Sequence, residues 1–166
     1  MCTTGETRYQ RRGDTLYKVY PEPKTHQDAQ RACAADGGHL VDVKTPALQR
    51  FLVEMVSDVN KYRDYWIGLQ LEGKRNWKWT DGTDIRDCDY INWAPRHPHP
   101  KHPTDCAQLS SSHGFKWKDD GCEQKEYFIC QKGPGDNNGC HRRRGNVTLL
   151  YFYIRYYNCH EFDTNV

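Results

Sequence analysis

The spacing of apolar residues changes along the chain and predicts one strand, two helices and then a run of short strands. Over residues 8–20 the alternation is loose, and Leu16, Tyr17, Val19 and Tyr20 predict an opening strand that ends at Pro21. Thr25 stands as an N-cap with Asp28 three residues on, ahead of the helical segment 29–35, which Gly37-Gly38 stops. A second helix starts at the Thr45 cap with Pro46 in its first turn, and Leu48, Phe51, Leu52, Met55 and Val56 recur along one face. From residue 65 the pattern becomes β-like and aromatic. Tyr65-Trp66-Ile67-Gly68-Leu69 reads as a buried strand, and Asn76-Trp77-Lys78-Trp79 alternates before a turn at Thr80-Asp81-Gly82. Residues 83–104 show little periodicity and carry four prolines, a loop length that is usually functional in a compact domain. Three more strands follow, around Cys106–Leu109, Phe115–Trp117 and Tyr127–Cys130, and a Gly/Asn-rich linker from Gly133 to Gly139 marks a domain boundary. The expected units are 8–131 and a C-terminal extension, 132–166.

Composition narrows the class. Eight cysteines in 166 residues, an even number without a CxxC pair, predict structural disulfides and an oxidising compartment rather than a metal–thiolate protein. Asn146-Val147-Thr148 is a glycosylation sequon that agrees with secretion. Met1-Cys2-Thr3-Thr4 lacks a basic region followed by an apolar run, so Met1 reads as an added start on a mature chain. No stretch approaches the ~18 apolar residues of a membrane span. A net charge of +2 argues against a dedicated nucleic-acid binder.

Two helices, Trp66-Ile67-Gly68-Leu69, a long loop and two cysteines bracketing Trp117-x-Asp119 together resemble the C-type lectin-like domain, over roughly residues 8–131. The resemblance implies an α+β fold, with two helices flanking short antiparallel sheets, a long loop region and disulfide staples. It implies the pairs Cys33–Cys130 and Cys106–Cys122, each worth about 3–5 kcal/mol in chain-entropy terms. The family's optional N-terminal hairpin disulfide has no counterpart near Leu16. Cys2, Cys88, Cys140 and Cys159 allow three connectivities, among them Cys140–Cys159 with Cys2–Cys88, and a bridge between chains is a further arrangement.

The same resemblance places the family's ligand-reading triplet at His97-Pro98-His99, its preceding acidic position at Thr104, and its Trp-Asn-Asp motif at Trp117-Lys118-Asp119. Calcium takes six to eight oxygen ligands with several carboxylates, so two imidazoles, a threonine and a lysine ammonium argue against calcium at this site, and the Lys118 ammonium would repel a dication if it points inward. His97, His99 and His102 lie within six residues, with Pro98, Pro100 and Pro103 restricting the backbone. Imidazole nitrogen suits zinc, copper or nickel, and Asp119 offers a carboxylate from across the site. A second chain would complete the shell as a metal-bridged dimer. Family topology puts His113 on a turn far from this loop. Three readings stay open: a bound transition metal, direct recognition of a glycan or protein by the side chains, and a solvated loop with no ligand.

The tail segment Val147–Tyr157 has high β propensity with both faces apolar or aromatic. It fits an extra strand on its own domain or strand exchange that makes a homodimer. The function expected from the whole is secreted recognition of microbial or host glycans, independent of calcium and with zinc as the candidate cofactor. The alternative is a protein–protein module without sugar binding. A zinc hydrolase is disfavoured, because no pattern places a general base and an exposed loop excludes no water. Ligating histidines must be neutral. Zinc titrated into chelator-stripped protein is therefore expected to give calorimetric heat at neutral pH that fades as pH falls through ~6.5. No heat at neutral pH ends the metal reading.

Overall fold

The computed structural model describes residues 8–88, 90–99 and 105–135. Short strand β1 (Gln10–Arg12) turns at Gly13, which has φ +57°, into β2 (Thr15–Lys24). The sequence pattern ends the opening strand at Pro21, yet β2 resumes pairing at Lys24 opposite Glu126 after a register shift that accommodates Pro21 and Pro23. Helix α1 (His26–Ala35) is capped by Thr25, whose hydroxyl accepts from the Asp28 amide at 3.2 Å. It ends where Gly37 takes φ +78° and the Gly38 amide donates to the Cys33 carbonyl. A two-residue strand, β3 (His39–Leu40), precedes α2 (Pro46–Asn60), whose Thr45 cap accepts from the Leu48 amide at 3.1 Å.

The remaining strands are β4 (Tyr65–Glu72), β5 (Asn76–Trp79), β6 (Asp105–Ser110), β7 (Lys116–Gly121) and β8 (Glu126–Lys132). The sheet runs β1-β2-β8-β4-β6-β7, with β3 on β8 and β5 on β4. Every pairing is antiparallel except β4 with β8. Beyond β8, the Gly135 amide donates to the Thr15 hydroxyl at 2.9 Å, so the start of the glycine-rich segment lies against the first strands.

Strand β4 explains the Trp-Ile-Gly-Leu motif physically. Ile67 and Leu69 face one cluster with Leu48, Leu52, Val56 and Trp117. Trp66 faces the other with Cys33, Cys106, Phe128 and Cys130, and its indole N–H donates to the Lys24 carbonyl at 2.9 Å. Between them Gly68 donates its amide to Val41, so close that an added Cβ would stand 2.6 Å from the Asp42 carboxylate and 2.7 Å from the Leu40 carbonyl. Disulfides Cys33–Cys130 and Cys106–Cys122 close loops of 97 and 16 residues, as the resemblance implies. Cys88 is disulfide-bonded as well. Cys2, Cys140, Cys159, Asn146 and the tail strand also fall outside them.

His26, the first residue of α1, is 1 % exposed, with its ring edge-on to Trp66. Its Nε2 lies 3.0 Å from the Ile67 carbonyl, which only accepts, so Nε2 carries the proton. Burial pushes this imidazole down to about 4, against the carbonyl, which favours a proton. Unfolded histidine binds a proton near ~6.5, so His26 stabilises the fold fully above that pH and loses the contribution as pH falls towards 4. Asp42 acts in the opposite sense: burial pushes its carboxyl up to about 6, so its cost to the fold is relieved as pH falls. Comparing the chain with His26→Gln, which keeps a donor for Ile67, cancels the Asp42 contribution. The gap in unfolding free energy between the two is expected to shrink by about 3 kcal/mol from pH 7 to pH 4. Denaturant titrations showing a constant gap would contradict this.

Candidate functional site

The site is assembled by β7. Trp117 is fully buried, with its ring edge-on to Trp79, Tyr90 and Trp93 at centroid distances of 5.4, 5.6 and 5.7 Å. Its indole N–H donates to the Gln49 side chain of α2 at 3.0 Å, and Gln49 in turn donates to the Phe115 carbonyl. The Trp117 backbone faces the long loop: its amide donates to Asn92, and its carbonyl accepts from Ala94, both at 2.8 Å. Strand alternation then aims Asp119 at the same side as Trp117.

Asp119, 5 % exposed, receives the loop. Its Oδ1 lies 2.5 Å from His97 Nδ1, and its Oδ2 accepts from the His99 amide at 2.9 Å. His99 Nδ1 stands 3.4 Å from Oδ1, and the two imidazole rings meet edge to face at 4.4 Å. One donor atom from each of His97, His99 and Asp119 lies within 4.8 Å of the others. Burial works to raise the Asp119 carboxyl, but the His97 ring and the His99 amide outweigh it and hold it below the ordinary carboxylate range. His97 is largely covered while His99 is 52 % exposed, so one ring is fixed and the other meets solvent.

Two placements differ from expectation. Lys118 does not point into this group. Residues 117 and 119 share one face of the strand and 118 and 120 the other, so the Lys118 ammonium pairs with Asp120 at 3.0 Å, near Asp64 and Glu126. The period of two in Trp117-Lys118-Asp119-Asp120 is the sequence signal for this orientation. His113, expected far from the loop, has its ring centroid 5.6 Å from that of His97. It sits on the turn between β6 and β7, and its Nδ1 is 3.1 and 3.0 Å from the Ser110 and Ser112 hydroxyls. The His97–Pro98 peptide is cis. His102 and Thr104 lie outside the described residues.

Among the described residues the convergent group holds one carboxylate, and both of its oxygens are engaged by the loop. Two imidazoles beside that carboxylate match the donor preference of zinc and its neighbours. No helix among the described residues is long and apolar enough to cross a membrane.

Residues 22–132 match the Lectin C-type domain family. C-type lectin TsL from Trimeresurus stejnegeri is 39 % identical over 123 residues, covering 69 % of this chain and 75 % of that protein. A snaclec coagulation factor IX/factor X-binding protein from Echis carinatus is 31 % identical over 133 residues, covering 78 % of this chain and 96 % of its own. Human lithostathine, in its crystal structure, superposes with a TM-score of 0.69 at 29 % identity, covering 81 % of this chain and 92 % of that one. With its strand order, the disulfides Cys33–Cys130 and Cys106–Cys122, and its long loop docked on β7, the chain belongs to the C-type lectin domain family.

Proposed function

We propose that this chain is an extracellular recognition module whose long loop binds glycans or microbial surface polymers through a zinc-type centre at His97, His99 and Asp119, in place of calcium. The observation that carries this reading is the convergence of the three side chains within 4.8 Å, two of them from one loop and the third from a core strand. A buried carboxylate that fixes one imidazole prearranges the site and lowers the ordering cost of ligand binding. Zinc held by three protein donors keeps a position open to an oxygen ligand, which hydroxyl- or carboxylate-rich polymers supply.

A second reading is a protein-binding module without sugar recognition. It is favoured by the Echis carinatus relative, which matches over nearly its whole length and is named for binding coagulation factors.

Retention on immobilised glycans and cell-wall polymers in zinc, calcium and chelator buffers separates the two. The proposal expects retention in zinc, loss in chelator, and no rescue by calcium. Asp119→Ala is expected to weaken the zinc-dependent retention by at least about tenfold. Retention that is unaffected by chelator, or that calcium alone restores, overturns it.

A further inference from the structure

We infer that His113, on the turn between β6 and β7, is the third imidazole of the zinc-type centre, and that Asp119 holds His97 in place from behind. This rests on the reading of His97 and His99 as metal ligands, and it reassigns the third donor.

Two donors of one tetrahedral zinc, each bonded at about 2.0–2.1 Å, stand about 3.3 Å apart. His97 Nδ1 and Asp119 Oδ1 are 2.5 Å apart, too close for both to ligate one ion at that angle and right for a shared proton. His97 therefore donates Nδ1–H to the carboxylate, and its Nε2 carries the lone pair a metal needs. Asp119 also accepts from the His99 amide with its other oxygen. Both oxygens thus support the loop, the arrangement in which a carboxylate orients a ligating histidine.

His113 has the matching chemistry. Ser110 and Ser112 hydroxyls lie at 3.1 and 3.0 Å from its Nδ1, and a proton on that nitrogen donated to either leaves Nε2 as the free lone pair. Two imidazoles on one tetrahedral zinc place their ring centroids about 5 Å apart. The observed separations from His97 are 4.4 Å for His99 and 5.6 Å for His113, on either side of that value. The ring of His113 is half-buried and meets that of His97 edge to face. The result is a three-histidine centre joining the loop to the β6–β7 turn, with a fourth position for the ligand.

Cobalt(II) absorbance and zinc competition on the chelator-stripped full chain test this, with His97→Ala, His113→Gly and Asp119→Asn beside it. Loss of a ligand is expected to weaken zinc by more than about 100-fold for His113→Gly, and loss of the orienting group by about 10–100-fold for Asp119→Asn. Free imidazole is expected to restore the cobalt spectrum of His113→Gly, which loss of fold would not permit. If His97→Ala abolishes binding while His113→Gly keeps the parent affinity and cobalt spectrum, the assignment of His113 fails and the metal reading stands. If the parent chain takes up neither ion, the metal reading fails and this assignment with it.

Discussion

The docking of the long loop onto the backbone of Trp117 is the constraint on which the loop end of the molecule depends. A loop this long carries many amides and carbonyls that must find partners, and β7 supplies two of them at 2.8 Å to Asn92 and Ala94. The same residue anchors the core, because its indole fills the space between Trp79, Tyr90 and Trp93 and bonds to Gln49 of the second helix. Backbone and side chain of one residue therefore connect the hydrophobic interior to the loop. Two residues further on, strand alternation delivers Asp119 to the loop's histidines on the same face. A change that loosens Trp117 acts on the site without touching it.

Much of this was legible in the sequence, and the reasons are local. Thr25 and Thr45 cap their helices as their side chains allow, and Gly37-Gly38 ends the first helix where a positive φ is required. The alternation in Tyr65–Leu69 sorts its residues between two clusters, with Gly68 where a backbone approaches too closely for any side chain. The loose alternation over residues 8–20 does not separate β1 from β2, because Gln10-Arg11-Arg12 carries no apolar pattern, and His39-Leu40 of β3 is too short to show one. The continuation of β2 past two prolines depends on a register shift against β8, a tertiary fact that no local rule contains.

The meeting of His97, His99 and Asp119 was legible because they occupy family positions. His113 was not, since its approach to His97 is set by how the β6–β7 hairpin and the loop pack together and leaves no mark in spacing. Lys118 is the reverse case. Its orientation follows from the period of a strand, and its ammonium neutralises Asp120 on the face away from the loop rather than opposing a cation beside Asp119.

A carboxylate as covered as Asp119 is costly to bury unless donors surround it, and the loop provides both. The relation runs in both directions. The loop backbone is held by the charge it compensates, and the charge is tolerated because the loop is there. Coupling of this kind fixes one face of the His97 ring and leaves only the opposite nitrogen for any partner, while the exposed His99 beside it keeps freedom to adjust. His97 is thereby a rigid donor set by the core, and His99 an adaptable one at the surface. That division follows from strand geometry and the cost of a buried anion, whatever ligand the pair receives.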